Sequence, residues 1–290
     1  MNTAPEILAA DGGGTRCRIA CVISGKRHEV EVGSANASTD LDGAIVTISD
    51  GLSRLASKTG VPLTAFADVP TYLGLAGVVG PDIARAIADG LPLSSIRVED
   101  DRPAAVRGAL GHHDGATVHS GTGSFFAIQR DGEIKLSGGW GHVLGDEASA
   151  HWLGRKLLIA TLDVTDQLRR ATPLSDTVLA RFGSSAGIVA FATDASPAEF
   201  GSLAPLVTEA AATGDSLAEN ILQRGADHIS RTLIAMGWGE KLPICLTGGV
   251  AGFYRDYLPQ DMQACFSQPL ASPIDGALSL AEDFRMELTR

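Results

Sequence analysis

The residues best suited to chemistry occur as two similar segments, Asp11-Gly12-Gly13-Gly14-Thr15 and Ser120-Gly121-Thr122-Gly123-Ser124. Each follows a short apolar run (residues 7–10 and 116–118) and leads into a strand, a tight turn and a second strand. A glycine-rich turn between strands presents backbone N–H groups with no side chain in the way, which suits phosphate oxygens. Asp11 adds a carboxylate able to hold Mg²⁺ beside those phosphates; alone, it also fits an Asx-turn. The second segment carries Ser120 in place of the acid and offers the Thr122 and Ser124 hydroxyls, so it reads as a neutral phosphate clamp. Together the two imply a duplicated domain that grips a polyphosphate.

Three further groups bear chemistry. Glu99-Asp100-Asp101 ends an apolar strand and precedes a helix. An acid there can orient and deprotonate an acceptor hydroxyl in phosphoryl transfer, or cap the helix, and one acid can do each. The run from Gly138 to Glu147 sets four glycines around Trp140, a ring able to wall a sugar face. Asp146 is expected to open a helix reaching about residue 158, kept ionised by the helix dipole and accepting hydrogen bonds from substrate hydroxyls. Leu246-Thr247-Gly248-Gly249 follows a buried-type strand and lets an adenosine lie against backbone. Adjacent His112 and His113 diverge and have no third ligand nearby, so they read as a solvated loop.

Positioning these groups requires a mixed sheet with crossover helices. Strands are expected at 7–11, 16–23 and 28–32, a helix at 40–56, a strand at 72–75, a helix at 81–89, a strand at 96–98 and a helix at 102–110. The hairpin pattern restarts at 116–120, 124–130 and 133–136. The second half then turns helical, with a capping-box signature Ser216-x-x-Glu219, a strand at 243–246 and a closing helix at 274–287. This is an α/β pattern. The break near 112–115 divides it into domains 1–113 and 114–290, and no linker is Pro/Ser-rich enough to separate independent modules, so a shared cleft is expected.

Composition narrows the function classes. The chain has 290 residues, 44% hydrophobic and 20% charged, enough for real cores. A net charge of -11 argues against a nucleic-acid partner but not against a nucleotide, whose charge is met locally. No apolar run approaches the ~20 residues of a membrane span, and the first residues lack signal-peptide character, so a cytoplasmic protein with no membrane partner is expected. The four cysteines show neither metal nor disulfide spacing; Cys17 and Cys21 share a strand face with Ile19 and read as buried small hydrophobes.

In order along the chain, the Asp11–Thr15 loop, Gly74-Leu75-Ala76-Gly77, the acid-rich strand end, the Ser120–Ser124 loop, the Gly138–Ala150 block and Thr247-Gly248-Gly249 resemble the BadF/BadG/BcrA/BcrD-type ATPase family. Within it, the chain resembles the N-acetylglucosamine and glucosamine kinases, over essentially its whole length. The resemblance implies two actin-like, ribonuclease H-like domains around a central cleft and ATP-dependent phosphorylation of an amino sugar at its 6-hydroxyl. N-acetylglucosamine is the leading acceptor and glucosamine the alternative. It also implies ATP and Mg²⁺ as cofactors, and homodimerisation is compatible with the fold. By that resemblance Asp11, Gly13, Gly14 and Thr15 meet phosphate, with Asp11 at the metal. Gly121 and Thr122 form the facing loop, Gly248 and Gly249 border the adenosine, and Asn36, Gly139, Trp140 and Asp146 contact the sugar. The family has Asn-Asp-Ala where this chain has Asp100-Asp101-Arg102; counting back from Gly108-Ala109-Leu110 puts the base on Asp101, with Asp100 as the alternative. Two other readings remain: a dehydratase-activating ATPase, which needs clustered thiolates absent here, and a non-catalytic sugar sensor.

Overall fold

A computed structural model describes residues 4–14, 16–239 and 241–290. In chain order the elements run β1 (Ile7–Gly12), β2 (Cys17–Ile23), β3 (Lys26–Val32), α1 (Leu41–Thr59), β4 (Thr71–Leu75), α2 (Pro81–Asp89), β5 (Ile96–Glu99) and α3 (Arg102–Leu110). They continue with β6 (Gly115–Ser120), β7 (Ser124–Arg130), β8 (Glu133–Gly138), α4 (Ala150–Thr165), α5 (Pro173–Phe182), α6 (Ser185–Asp194), α7 (Pro197–Gly201) and α8 (Ala204–Ala212). Then come α9 (Ser216–Met236), β9 (Ile244–Thr247), α10 (Gln260–Gln263), β10 (Phe266–Ser267) and α11 (Pro273–Leu288).

The chain divides into two units, one of residues 1–112 with 269–290, the other of residues 113–268. The sequence places everything after residue 113 in the second domain; the structure instead returns α11 to the first. The cause is packing: Ile274, Ala277, Leu278 and Ala281 form one buried cluster with Ile7, Ala9, Ala20, Tyr72 and Ala104. Without α11, that face of the first sheet would lie open to water.

Each unit holds a five-stranded mixed sheet, ordered β3-β2-β1-β4-β5 in the first and β10-β9-β6-β7-β8 in the second. In each, an antiparallel three-stranded meander continues into parallel strands. The fold is α/β and actin-like, built from two ribonuclease H-like units. The repeat extends to the turns: Ser24-Gly25 and Asp131-Gly132 both have positive φ at each residue, the arrangement that closes a two-residue hairpin with the correct twist. On β2, Cys17, Ile19 and Cys21 are all buried, as alternation requires.

Two helix starts differ from the sequence reading. Helix α9 is capped by Asp215, whose carboxylate accepts from the N–H groups of Leu217 and Ala218, rather than by a Ser216–Glu219 box. Helix α4 starts at Ala150 on a Ser149 cap, four residues after Asp146.

Candidate active site

In the first unit, the parallel register places Asp11 of β1, Gly74 of β4 and Glu99 of β5 in one row across the sheet. Beyond Asp11, Gly13 N–H donates to the Arg16 carbonyl at 2.9 Å, closing the hairpin, and Ala35 N–H donates to the Gly13 carbonyl at 3.2 Å. Gly12 is required for packing, since a Cβ there would lie 2.6 Å from Leu75. Thr15 lies outside the described residues. Burial raises the Asp11 carboxyl above its ordinary range, an effect opposed by the Arg18 and Arg16 guanidiniums. Arg18 faces Asp11 directly in the β1–β2 register, and the sequence reading passed over it.

The acids after β5 have separate duties. Asp100 accepts from the Arg102 N–H at 3.1 Å and pairs with the Arg102 guanidinium. It therefore satisfies the start of α3. Asp101 occupies the cap position of α3 yet makes no side-chain capping bond. Its carboxyl is pushed up to about 7, chiefly by burial, then by the charges of Asp100 and Asp11, with Arg102 opposing. Such a carboxylate has the proton affinity a general base needs near neutral pH. Gly74 makes room for it: a Cβ there would lie 3.2 Å from Ala104 Cβ and 3.5 Å from Asp101 Cα. Behind the row, the buried Tyr72 hydroxyl donates to Glu99 at 3.0 Å, which commits Glu99 to structure.

Asn36 follows the hairpin in the same unit. Its Oδ1 accepts from Ser38 N–H at 3.1 Å and Ser38 Oγ at 2.9 Å, fixing the side chain. Gly77 lies so close that a Cβ there would be 2.5 Å from this oxygen.

In the second unit, Gly121 N–H donates to the Gly123 carbonyl at 2.9 Å, which shapes the loop. Thr122 is exposed at its tip. The Ser124 hydroxyl, expected to face phosphate, instead donates to the Glu147 carbonyl at 2.6 Å and holds the following loop. Asp146 is tied to the same hairpin. Its Oδ1 accepts from Ser124 N–H at 3.3 Å, and its Oδ2 sits where a Cβ on Gly123 would be 2.9 Å away.

Asp146 therefore stands in a turn, with φ of 63°, not at a helix N-terminus. Burial raises its carboxyl above the ordinary range, while the N–H groups of Ser124 and Gly141 and the nearby His142 oppose that rise. Gly139 N–H donates to the Ser124 carbonyl at 3.0 Å, and Trp140 projects into solvent, 70% exposed. Hairpin and Trp140–Asp146 loop are thus one hydrogen-bonded assembly.

Gly248, with φ of 88°, packs so tightly on β6 that a Cβ would lie 2.3 Å from the Ser120 carbonyl oxygen. Gly249 instead lines a pocket of about 420 Å³ with Ala204, Pro205, Thr208, Val250 and Phe253. It is largely apolar, as an adenine ring requires. The sequence reading also missed His119, beneath the hairpin: its ring stacks on Phe125 at 5.0 Å, and Nδ1 lies 3.1 Å from Thr247 Oγ1. Burial holds the imidazole below its usual pKa, so it is neutral at pH 7. The signal was an ionisable residue within a strand of otherwise small or apolar residues, adjacent to the glycine loop.

Asp11 is a hard oxygen donor. Mg²⁺ is commonly held through one or two carboxylates together with phosphates and water, and this donor suits that arrangement. Among the described residues, no group of three His, Cys, Asp or Glu side chains could hold a metal by itself. Cys17, Cys21 and Cys245 are buried and Cys265 is half-buried; burial pushes the Cys17 thiol up to about 12.

Two hairpin loops, a half-buried acid beyond β5 and an apolar pocket beside Gly249 are thus set on an α/β, actin-like fold. The chain belongs to the BadF/BadG/BcrA/BcrD ATPase family, which it matches over residues 10–278. It is 30% identical over 280 residues to the glucosamine kinase GspK of Vibrio cholerae, covering 94% of this chain and 95% of that protein. An N-acetyl-D-glucosamine kinase of Dictyostelium discoideum is 27% identical over 269 residues, covering 83% and 84%. A solved structure from Chromobacterium violaceum, provisionally named an N-acetylglucosamine kinase, has a TM-score of 0.83 at 29% identity and covers 96% of this chain and 99% of its own. No helix among the described residues is long and apolar enough to cross a membrane.

Proposed function

We propose that this chain is an ATP-dependent amino-sugar kinase that phosphorylates the sugar 6-hydroxyl. The observation that carries the reading is the Asp101 carboxylate, which is half-buried, pushed up to about 7 and spared from capping by Asp100. In this role Asp101 orients the acceptor hydroxyl and takes its proton as the bond to phosphorus forms. In this reading the phosphates are met by the Gly14 backbone in one unit and by Thr122 in the other, while Gly13 and Gly121, whose N–H groups close their own turns, shape the two loops. Gly249 and its apolar pocket serve the adenine, with Gly248 shaping the turn. Asp11 would hold Mg²⁺, which when bound supplies positive charge to the phosphates.

The sugar contacts assigned to Asn36, Gly139, Trp140 and Asp146 follow the same logic. Asn36 and Asp146 are polar groups fixed by backbone hydrogen bonds or close neighbours, and Trp140 is an exposed ring of the kind that covers a sugar face. N-acetylglucosamine is the first-choice acceptor. In its favour, the Trp140–Asp146 loop presents exposed Trp140, Val143 and Leu144, an apolar surface suited to an acetamido methyl. Glucosamine is the second reading, favoured by the Vibrio cholerae relative. The absence of an exposed thiol cluster among the described residues argues against a dehydratase-activating role.

A coupled ADP-release assay across N-acetylglucosamine, glucosamine, N-acetylmannosamine, N-acetylmuramic acid and glucose tests the proposal. An amino sugar should give the highest kcat/KM, with the 6-phosphate as product. ADP release that no sugar stimulates would overturn the kinase reading in favour of a sensor.

A further inference from the structure

Helices α4 and α9 of the second unit carry a second constellation, which the kinase reading does not use. On α4, Trp152 and Lys156 are one helical turn apart; on α9, Arg224, His228 and Arg231 follow at helical spacing. These residues line a common open pocket of about 510 Å³. Lys156 Nζ stands over the Trp152 ring, 5.5 Å from its centroid, which fixes the ammonium without neutralising it.

The charge is unbalanced. None of Lys156, Arg224 and Arg231 forms an ion pair among the described residues. Two acids share the pocket, Glu147 and Asp227, and Asp227 already accepts from Gln223 Nε2 at 2.9 Å. Burial, then the charges of Arg224 and Arg155, holds the Lys156 ammonium below its ordinary range despite the opposing charge of Glu147, so the cations sit close enough to repel. In a chain of net charge -11, such a cluster is relieved by a bound anion.

The pocket also has room for an organic body. A smaller recess of about 130 Å³ shares Trp152, Lys156 and Arg224 with it and is walled by Ile159, Ala160 and Ile221, with Asn220 and the paired Asp163 and Arg169 also in its lining. Arginine pairs offer planar, bidentate recognition of phosphate oxygens, and lysine adds a point charge. We propose that the groove between α4 and α9 is a binding site for a small phosphate ester, with the phosphate on Lys156, Arg224 and Arg231 and the organic part in the recess beside Trp152. Glu147, in its wall, follows Asp146 directly in the chain, so occupancy at this site has a short route to the Trp140–Asp146 loop.

The test is calorimetric titration of inorganic phosphate and of glucose 6-phosphate into the full chain saturated with Mg²⁺-ADP. Wild type is compared with the double variant Arg224→Gln/Arg231→Gln, whose altered positions are solvent-exposed. Saturable binding is expected in wild type, weakening with added salt and falling ~10-fold or more in the variant, while the ADP affinity stays unchanged. Tighter binding of the sugar ester than of phosphate assigns the site to phosphate esters. No saturable binding across the millimolar range, equal affinity in the variant, or no preference for the ester would overturn the proposal. It does not depend on which sugar the enzyme phosphorylates.

Discussion

Asp101 and Asp100 are neighbours with opposite fates, and the difference is experimentally accessible. If Asp101 is the base, Asp101→Asn should lower kcat by ~10²–10⁴-fold while leaving ADP affinity within about twofold, since Asn preserves shape but cannot take a proton. Near-normal turnover would move the role to Asp100. The pH dependence follows from the same geometry. The base must be ionised, so kcat/KM should rise with pH through about 7. The Asp100 charge is the second cause of that elevation, after burial. Asp100→Asn should therefore shift the acid limb to lower pH, and an unmoved limb would show that another group titrates. Stability runs the other way. The folded state holds the Asp101 proton more tightly than the unfolded chain, so this group's contribution is fully present below about pH 4 and is lost as pH rises through about 7. Asp101→Asn should accordingly raise Tm at pH 8 relative to wild type and change it little at pH 4.

At the level of elements, the turn after β9 depends on a glycine whose neighbours leave no room for a side chain. Gly248 combines a φ of 88° with a backbone oxygen 2.3 Å from any Cβ. Gly248→Ala should therefore destabilise the second unit by about 1–3 kcal/mol and weaken ADP binding, checked by thermal unfolding and titration. An unchanged affinity would detach this turn from the nucleotide. Most of the elements were legible because alternation and 3.6-residue periodicity are local signals: α2 at Pro81–Asp89 and β7 at Ser124–Arg130 form over the residues expected. Asp146 was misread because an acid before an apolar run resembles a helix start. Its carboxylate is claimed by the Ser124 N–H, a contact between residues 22 apart that no local pattern encodes. The same reason hid His119, whose partners Thr247 and Phe125 come from the strands on either side of it.

At the level of the whole molecule, the surprise is that the last helix belongs to the first unit. Helices α3 and α11 meet through glycine on glycine. A Cβ on Gly276 would lie 2.0 Å from the Ala104 carbonyl oxygen and 2.4 Å from Gly108 N, and one on Gly108 would lie 2.3 Å from the Ser272 carbonyl oxygen. Arg107 of α3 adds a largely buried ion pair to Asp283 of α11 at 2.6 Å. Because α3 begins beside Asp101, residues from the far end of the chain hold the helix that presents the proposed base. Gly276→Ala should force the two helices apart. That overpacking should reduce stability by about 1–3 kcal/mol and, by shifting the start of α3, lower kcat more than it raises the KM for ATP. Thermal unfolding and steady-state kinetics on the same preparation separate the two effects. A destabilised variant with unchanged kcat would mean that α11 supports the fold without positioning Asp101. A loss of kcat retained at temperatures well below Tm would tie the closing helix to the chemistry.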